Sequence, residues 1–222
     1  MKSLPQRSAG SLLCALALTL LVEGAARAQE PAASRAWETQ AAERRSGFTM
    51  GLTLGGGVAS ISGYPNDPKR IDRKPYFTET GARPSATVGF WLGGALTDWL
   101  TFGVGVSGTR LFSTGETIAE SGAVGFHIDV FPLFGMGGAL RDLGVTWSGG
   151  IGLASIVPSK DPDRALADGG ACSMLGLGVF YEGLRFRKIS AGPFLFADYS
   201  WSLSISRPAL FIGFRTALYS KP

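Results

Sequence analysis

Leu100-Thr101-Phe102-Gly103-Val104-Gly105-Val106-Ser107 decides how this chain folds, because apolar residues alternate strictly with small or polar ones. Successive side chains of a β-strand point to opposite faces, so this segment has one apolar face and one small, polar face. The alternation returns in Phe48-Thr49-Met50-Gly51-Leu52-Thr53-Leu54 and in Val88-Gly89-Phe90-Trp91-Leu92-Gly93. Small residues fit a narrow interior and long aliphatic residues fit lipid, so the pattern predicts a transmembrane β-barrel with its apolar face outward.

Eight strands of this kind can be traced along the chain. An even number of strands places both chain ends on the same side of the membrane, and strands of this length suit a tilted membrane crossing. The sequence therefore predicts an all-β fold, an eight-stranded antiparallel up-and-down transmembrane β-barrel over residues 47–219. The predicted strands cover about 47–59, 84–94, 99–111, 121–131, 143–156, 171–182, 189–200 and 208–219.

The N-terminus carries the features of an export signal. Lys2 and Arg7 form a basic region, an apolar run extends from Leu12 to Val22, and Ala26-Arg27-Ala28 supplies the small residues of a cleavage site. A membrane-anchor helix is the alternative, but a span needs about 20 apolar residues. We therefore predict a signal peptide at 1–28, a mature chain that begins near Gln29, and a flexible polar periplasmic lead-in at 29–46.

Charge and cysteine content exclude several functional classes. The chain has 21 basic and 17 acidic residues, and removal of residues 1–28 leaves 18 and 16, a net charge of +2. This small excess gives no support for nucleic-acid binding. Cleavage also removes Cys14 and leaves Cys172 alone, so we expect no internal disulfide and a buried Cys172. A single histidine excludes a multi-histidine metal site, and no cofactor is predicted.

The exported N-terminus, the eight alternating strands and the turn Leu96-Thr97-Asp98-Trp99-Leu100 together resemble the small outer-membrane barrels of Gram-negative bacteria, of the OmpA, OmpX and OmpW type. This resemblance implies a place in the bacterial outer membrane, contact with its lipid and lipopolysaccharide, and insertion by the barrel-assembly machinery. In such families the last strand usually ends in an aromatic residue, whereas here Tyr219 is followed by Ser220-Lys221-Pro222.

Aromatic residues near the predicted strand ends suit the interfacial girdles of a membrane barrel. Similar residues also end strands in soluble sheets, so the observation supports the barrel only modestly. The candidates are Trp99, Phe131, Trp147, Tyr181, Tyr199, Trp201 and Tyr219.

Four polar residues are predicted to face the lumen: His127, Asp129, Asp198 and Arg215. They could form a proton-sensitive or solute-guiding interior. Alternatively they form ion pairs that satisfy charges inside a narrow barrel, where an unpaired charge is costly. We favour ion pairs and predict that Arg215 reaches Asp129 across the lumen. The lumenal position of Asp198 also predicts that Phe194 and Phe196 face inward.

A basic patch lies in the first long loop, predicted at 60–83, and consists of Lys69, Arg70, Arg73 and Lys74. These cations could meet lipopolysaccharide phosphates, another surface ligand or a protein partner. The plainer interpretation is a solvated loop, since charged residues usually lie in water.

Three functional classes follow from these features, and we favour a structural or surface-interaction role without enzymatic activity. The first alternative is a narrow pathway for a small or apolar solute, as the OmpW resemblance implies. Small inward residues favour this pathway, although glycine also serves the bending of a small barrel. A lipid A-modifying hydrolase or transferase finds less support, because His127-Ile128-Asp129 faces the lumen and no serine is evidently paired with it. The inward glycines are Gly51, Gly89, Gly103, Gly105, Gly150, Gly152, Gly176 and Gly178.

Overall fold

The computed structural model describes residues 45–112, 115–136, 138–161 and 163–221. The predicted signal peptide, and the lead-in as far as residue 44, lie outside the described residues. Within the described ranges the regular structure is β-strand apart from three short 3₁₀ turns, at Lys74–Tyr76, Phe134–Met136 and Gly138–Asp142. None of the helical segments in this part of the chain is long and apolar enough to cross a membrane.

Eight long antiparallel strands form a closed barrel, which confirms the predicted fold class. Each long strand pairs with the next one along the chain, and the last strand pairs with the first, so the barrel has no free edge. Closure matters in lipid, where unpaired backbone groups are costly. The barrel strands are β1 Ser46–Ala59, β4 Arg83–Thr97, β5 Leu100–Leu111, β6 Thr117–Val130, β7 Leu143–Pro158, β9 Cys172–Tyr181, β11 Ile189–Trp201 and β12 Ile205–Lys221.

Four short strands lie beside the barrel: β2 Ser62–Gly63, β3 Thr78–Glu79, β8 Ala167–Asp168 and β10 Leu184–Phe186. The predicted strand bounds are close to the observed ones, but β6 begins at Thr117 and β12 at Ile205, each several residues earlier than expected. These extensions lie beyond the apolar part of each strand. An outward residue there no longer needs to be apolar, so hydrogen bonding continues where the alternation of the sequence stops.

The outward positions of the barrel strands are apolar and exposed, as expected for a surface in contact with lipid. In β11, Leu195 faces outward while Phe194 is buried in the interior and Phe196 packs against the interior core, which confirms the predicted orientation of that strand. The exposed apolar belt includes Leu52, Leu54, Val88, Phe90, Leu92, Phe102, Val104, Val106, Val124, Ile151, Leu153, Leu175, Leu177, Val179, Leu195, Leu210, Ile212 and Phe214.

The aromatic girdle is smaller than the sequence predicts. Trp99, Trp147, Tyr199 and Trp201 are exposed, whereas Phe131 and Tyr219 are buried. Tyr219 has the same inward orientation as Arg215, four residues earlier on β12, because alternate residues of a strand share a face. Position near a strand end therefore does not decide whether an aromatic side chain faces lipid.

The inward glycines do not leave an open lumen, contrary to the argument for a solute pathway. A Cβ atom on Gly51 would lie 2.4 Å from the Trp91 ring, and one on Gly176 would lie 2.2 Å from the Phe196 ring. Large aromatic side chains from neighbouring strands thus occupy the space above these glycines. The interior of this small barrel is a packed core.

Other glycines permit close approach of paired strands. A Cβ atom on Gly213 of β12 would lie 2.1 Å from the Leu54 carbonyl oxygen and 2.5 Å from the Gly55 Cα of β1. Gly125 and Gly150, which pair between β6 and β7, show the same relation. Glycine at these positions therefore serves the close pairing of neighbouring strands.

The two ends of the barrel differ. We call the end that holds the first residues of β1 and the last residues of β12 the terminus end, and the opposite one the loop end. At the loop end, the first long loop, between β1 and β4, and the third long loop, between β7 and β9, fold over the opening. They bond to each other, with the Asp168 amide donating to the Tyr64 carbonyl at 3.0 Å. Beneath them lies an apolar cap of Ile61, Leu111, Ile156, Ala167, Cys172 and Ile205, all buried. Cys172 is a free, buried thiol, as expected.

Candidate functional site

Arg215 and Asp129 meet inside the barrel, as the sequence predicts. Arg215 donates through Nη1 and Nη2 to the two carboxylate oxygens of Asp129, at 3.2 and 2.8 Å. The same guanidinium lies 3.0 Å from Oε1 of Glu182, the residue that follows β9. All three side chains are almost completely buried. Such a group is stable only while every charge keeps its partner.

Aromatic rings surround this centre. His127 Nε2 lies 3.0 Å from Asp129 Oδ1, and the imidazole stacks on Trp91 with ring centroids 4.7 Å apart. The Arg215 guanidinium lies 3.6 Å from the centroid of the Phe180 ring. Rings of this kind attract a cation through their electron-rich faces.

Arg45 brings a second buried cation to the terminus end. Its Nη2 donates to Asp142 at 2.8 Å, its Nε lies 3.5 Å from Glu182, and its guanidinium lies 3.5 Å above the Phe131 ring. Arg45 belongs to the stretch predicted as a flexible lead-in, whereas its side chain is buried within the barrel. A polar stretch without strand alternation gives no sign that its last arginine turns inward.

Glu182 links the ion pair of Arg215 to that of Arg45. Besides both arginines, its carboxylate accepts hydrogen bonds from Ser190 Oγ at 2.8 Å and from the Tyr219 hydroxyl at 3.0 Å. Arg185 also reaches Asp142 at 2.8 Å. Three guanidinium groups therefore face three carboxylates, in a group that we call the ionic cluster: Arg45, Asp129, Asp142, Glu182, Arg185 and Arg215.

Asp198 also faces the lumen, but it lies outside the ionic cluster. It pairs instead with Arg207, whose Nη1 donates to Asp198 at 2.6 Å while its Nη2 donates to Ser200 at 2.8 Å. The separation follows from depth. Asp198 is near the loop end of β11, whereas Asp129 is one residue from the terminus end of β6.

Sequence reasoning missed five residues, and two of them carry a detectable signal. They are Arg45, Asp142, Glu182 and Arg185 of the ionic cluster, and Tyr219, whose hydroxyl bonds to it. Glu182 continues the inward alternation of Phe180, and Tyr219 continues that of Arg215. Following the alternation to the end of each predicted strand would have found both. Arg45 and Asp142 lie outside the barrel strands, where no periodicity applies.

An interior cavity of about 80 Å³ lies between the ionic cluster and the loop end. Arg215 and His127 line one part of it, and Asp198 lines another. Other inward residues that line the cavity are Thr53, Thr87, Trp91, Ser107, Ala123, Thr146, Ser148, Met174, Phe194 and Phe196.

Of the four residues of the predicted basic patch, one is held by an ion pair and the other three are exposed cations. Arg70 pairs with Asp67 at 3.1 Å and lies 5.3 Å from the centroid of the Tyr76 ring. Lys69, Arg73 and Lys74 are exposed, and within the described part of the chain no ion pair is found for them. Backbone bonds that link the loop to the cap support this surface, such as Thr80 N to Ile61 O at 2.9 Å.

His127 is paired with Asp129 and is not hydrogen-bonded to any serine that the structure describes. Its neighbour across the strands is Ser148, whose hydroxyl makes no hydrogen bond, and the imidazole nitrogen lies instead against Asp129. A serine nucleophile needs a base within hydrogen-bond reach. Among the described residues there is also no group of three or more acidic, histidine or cysteine side chains placed to hold a metal ion.

No family model matches the chain, and no curated protein matches its sequence. Among solved structures, Neisserial surface protein A is 11% identical to this chain, with a TM-score of 0.45. The match covers 76% of this chain and 97% of that protein. Ail of Yersinia pestis is 8% identical with a TM-score of 0.40, covering 76% of this chain and 98% of its own. OprG of Pseudomonas aeruginosa is 10% identical with a TM-score of 0.40, covering 80% of this chain and 98% of its own.

The fold assignment stands on the chain's own strand pairing and on its apolar exterior. A closed eight-stranded barrel of this kind is the architecture that the sequence resemblance to small outer-membrane barrels predicts.

Proposed function

We propose that this protein is a non-conducting barrel of the bacterial outer membrane with a structural and surface-interaction role, and that it is not an enzyme. The observation that carries the proposal is the closure of the lumen at both ends. The ionic cluster fills the terminus end with paired charges, and the apolar cap fills the loop end. A side-chain-filled interior is the usual state of an eight-stranded barrel.

The exterior supports the membrane part of this proposal. Exposed apolar side chains surround the barrel, and the closed strand pairing satisfies the backbone that lipid would otherwise leave unpaired. The predicted signal peptide supplies the export that an outer-membrane location requires. Lipid and lipopolysaccharide are then the surroundings of the belt, and the barrel-assembly machinery is the partner during insertion.

Conductance in a planar bilayer tests the closed lumen. We expect the refolded protein to leave the bilayer silent, under conditions in which a general porin refolded in the same way gives discrete steps. Band mobility with and without boiling verifies insertion, since a folded barrel resists detergent until it is heated. Discrete conductance steps from the heat-modifiable form would reject the non-conducting role.

The surface-interaction part rests on the first long loop. Lys69, Arg73 and Lys74 are exposed without acidic partners among the described residues, and Tyr76 beside them is also exposed. Exposed cations on a loop that is bonded to the barrel can bind phosphate groups without first ordering the chain. We propose that they bind anionic groups at the cell surface, such as lipopolysaccharide phosphates.

Two matched double variants test this surface. R73Q/K74Q removes two of the cations, and K160Q/R164Q removes two exposed basic residues from the third long loop. We expect R73Q/K74Q to weaken binding to lipopolysaccharide vesicles several-fold and K160Q/R164Q to leave it near the wild-type value. Equal losses in both variants would indicate a general effect of charge, and no loss in either would remove the first loop from the proposal.

The narrow pathway remains a second candidate because of the interior cavity. A solute would have to displace the ionic cluster as well as the apolar cap. The same conductance measurement distinguishes the two candidates for ionic solutes, and uptake of a labelled apolar solute into vesicles distinguishes them for the rest.

A further inference from the structure

The interior cavity contains polar groups that no other side chain satisfies. Trp91 Nε1, Ser148 Oγ and Arg215 Nε belong to residues that line the cavity, and each is a buried atom without a hydrogen-bond partner in the described structure. Trp91 and Arg215 are at least nine-tenths buried. The indole and guanidinium nitrogens can only donate, so both require an acceptor.

Buried donors in folded proteins are almost always satisfied, by protein atoms or by ordered water. The other polar side chains of the lining do not serve these donors. Thr53 Oγ1 donates to the Gly89 carbonyl, and Thr146 Oγ1 contacts the Ile128 carbonyl. Within the described residues, no protein atom accepts a hydrogen bond from Trp91 Nε1 or Arg215 Nε, and a molecule in the cavity that these residues line would supply the missing acceptor.

The size of the cavity limits what that molecule can be. Its volume is about 80 Å³, and one water molecule takes about 30 Å³ in the liquid. The space suits about two or three waters. Arg215 already has carboxylate partners in Asp129 and Glu182, so its charge does not call for a further anion.

We propose that the cavity is a binding site for a cluster of ordered water molecules, held by Trp91, Ser148 and Arg215. The ionic cluster lies toward one end of the lumen from these waters, and the apolar cap lies toward the other. The barrel thus holds one short hydrated segment between them. This inference does not depend on any function of the first loop.

Nuclear magnetic resonance of the ¹⁵N-labelled protein in detergent micelles tests the site. We expect the Trp91 indole N–H to show a dipolar cross-peak to water, because the proposed cluster lies against it. The variant Trp91→Phe identifies the resonance by its loss. Trp147, whose side chain lies on the exterior of the barrel, provides the internal control, because its own signal should not change when the cavity is filled.

Two filling variants extend the test. Ala123→Leu and Ser107→Val place added carbon atoms in the cavity, and Ala197→Leu places a similar addition on the exterior of the barrel. We expect the water cross-peak to disappear in either filling variant and to persist in Ala197→Leu. Heat-modifiable mobility shows whether each variant has folded.

Three results would overturn the water site. The first is an observed Trp91 indole resonance that has no cross-peak to water in the wild-type protein. The second is a cross-peak that persists in a folded filling variant. The third is an indole chemical shift that follows the chloride concentration, which would assign the cavity to an anion. The wild-type spectrum alone decides the question if both filling variants fail to fold.

Discussion

The two ends of the lumen are closed by opposite kinds of chemistry. At the terminus end, three guanidinium groups and three carboxylates satisfy one another around aromatic rings. At the loop end, the apolar cap is formed by side chains that have no charge at all. A group of paired charges fails when one member is lost, whereas an apolar group loses stability in proportion to the volume removed. One barrel thus closes its two ends with different groups, and a substitution can disrupt either group without the other.

The largest effect is expected from Arg215→Met, which fills the same space but leaves Asp129 and Glu182 without their main cation. The loss of one partner from a buried ion pair costs about 3–5 kcal/mol. The free energy of unfolding in micelles, from a denaturant titration followed by tryptophan fluorescence, measures it. Arg110→Met, at an exposed arginine on the outer face, is the matched control. A loss below about 1 kcal/mol would show that the cluster is not held by its charges.

A smaller loss is expected from Ile61→Ala in the apolar cap. Ile61 is completely buried, and truncation of such a side chain costs about 2–4 kcal/mol through lost contacts and the cavity left behind. Leu203→Ala is the control, since Leu203 is 92% exposed in the last loop. The same titration measures both variants. The apolar cap would not be a seal if the two changes had equal effects.

Tyr219→Phe tests one hydrogen bond within the ionic cluster. The hydroxyl donates to Glu182 at 3.0 Å, and a bond to a charged group contributes about 1.5–3 kcal/mol. We expect a loss near the lower limit, because Ser190 and two arginines continue to serve the same carboxylate. Tyr199→Phe removes an exposed hydroxyl that bonds to Ser206 and should change stability much less. If Tyr219→Phe leaves the free energy of unfolding unchanged, the ionic cluster is stabilised by its ion pairs alone.

Arg70→Gln should have the smallest effect. Its ion pair with Asp67 is about half exposed on both sides, and such pairs contribute about 0–1 kcal/mol. We expect an unchanged free energy of unfolding within about 0.5 kcal/mol and unchanged binding to lipopolysaccharide vesicles. A large loss of binding would mean that Arg70, rather than its unpaired neighbours, meets the anionic group.

The fold could be predicted because its main physical requirement appears directly in the sequence. A lipid-facing strand must be apolar at every second residue, so Phe102, Val104 and Val106 reveal both the strand and its facing. The ends of β6 and β12 could not be predicted in this way, because outward residues beyond the lipid are free to be polar. Strand bounds were accordingly less accurate than strand number.

The interior was predicted only where alternation continued into it. Arg215 and Asp129 have inward positions within strands, and their contact was expected from the length of the arginine. Asp198 shares their inward facing but not their depth, because facing is periodic whereas depth depends on the register of all eight strands. Trp91 and Phe196, which fill the space above the glycines, belong to the same long-range packing. The local sequence does not indicate which distant residues pack against each other.

Three consecutive glycines, Gly55-Gly56-Gly57, lie at the seam where the first and last strands pair to close the barrel. The run lies in β1 opposite Phe211, Ile212 and Gly213 of β12, so the first and last strands are joined here mainly through their backbones. No side chain from Gly55 or Gly213 interlocks across this seam. The seam has room for backbone only, so a side chain at Gly213 should weaken the closed barrel itself, because its Cβ atom would lie 2.1 Å from the Leu54 carbonyl oxygen and 2.5 Å from the Gly55 Cα.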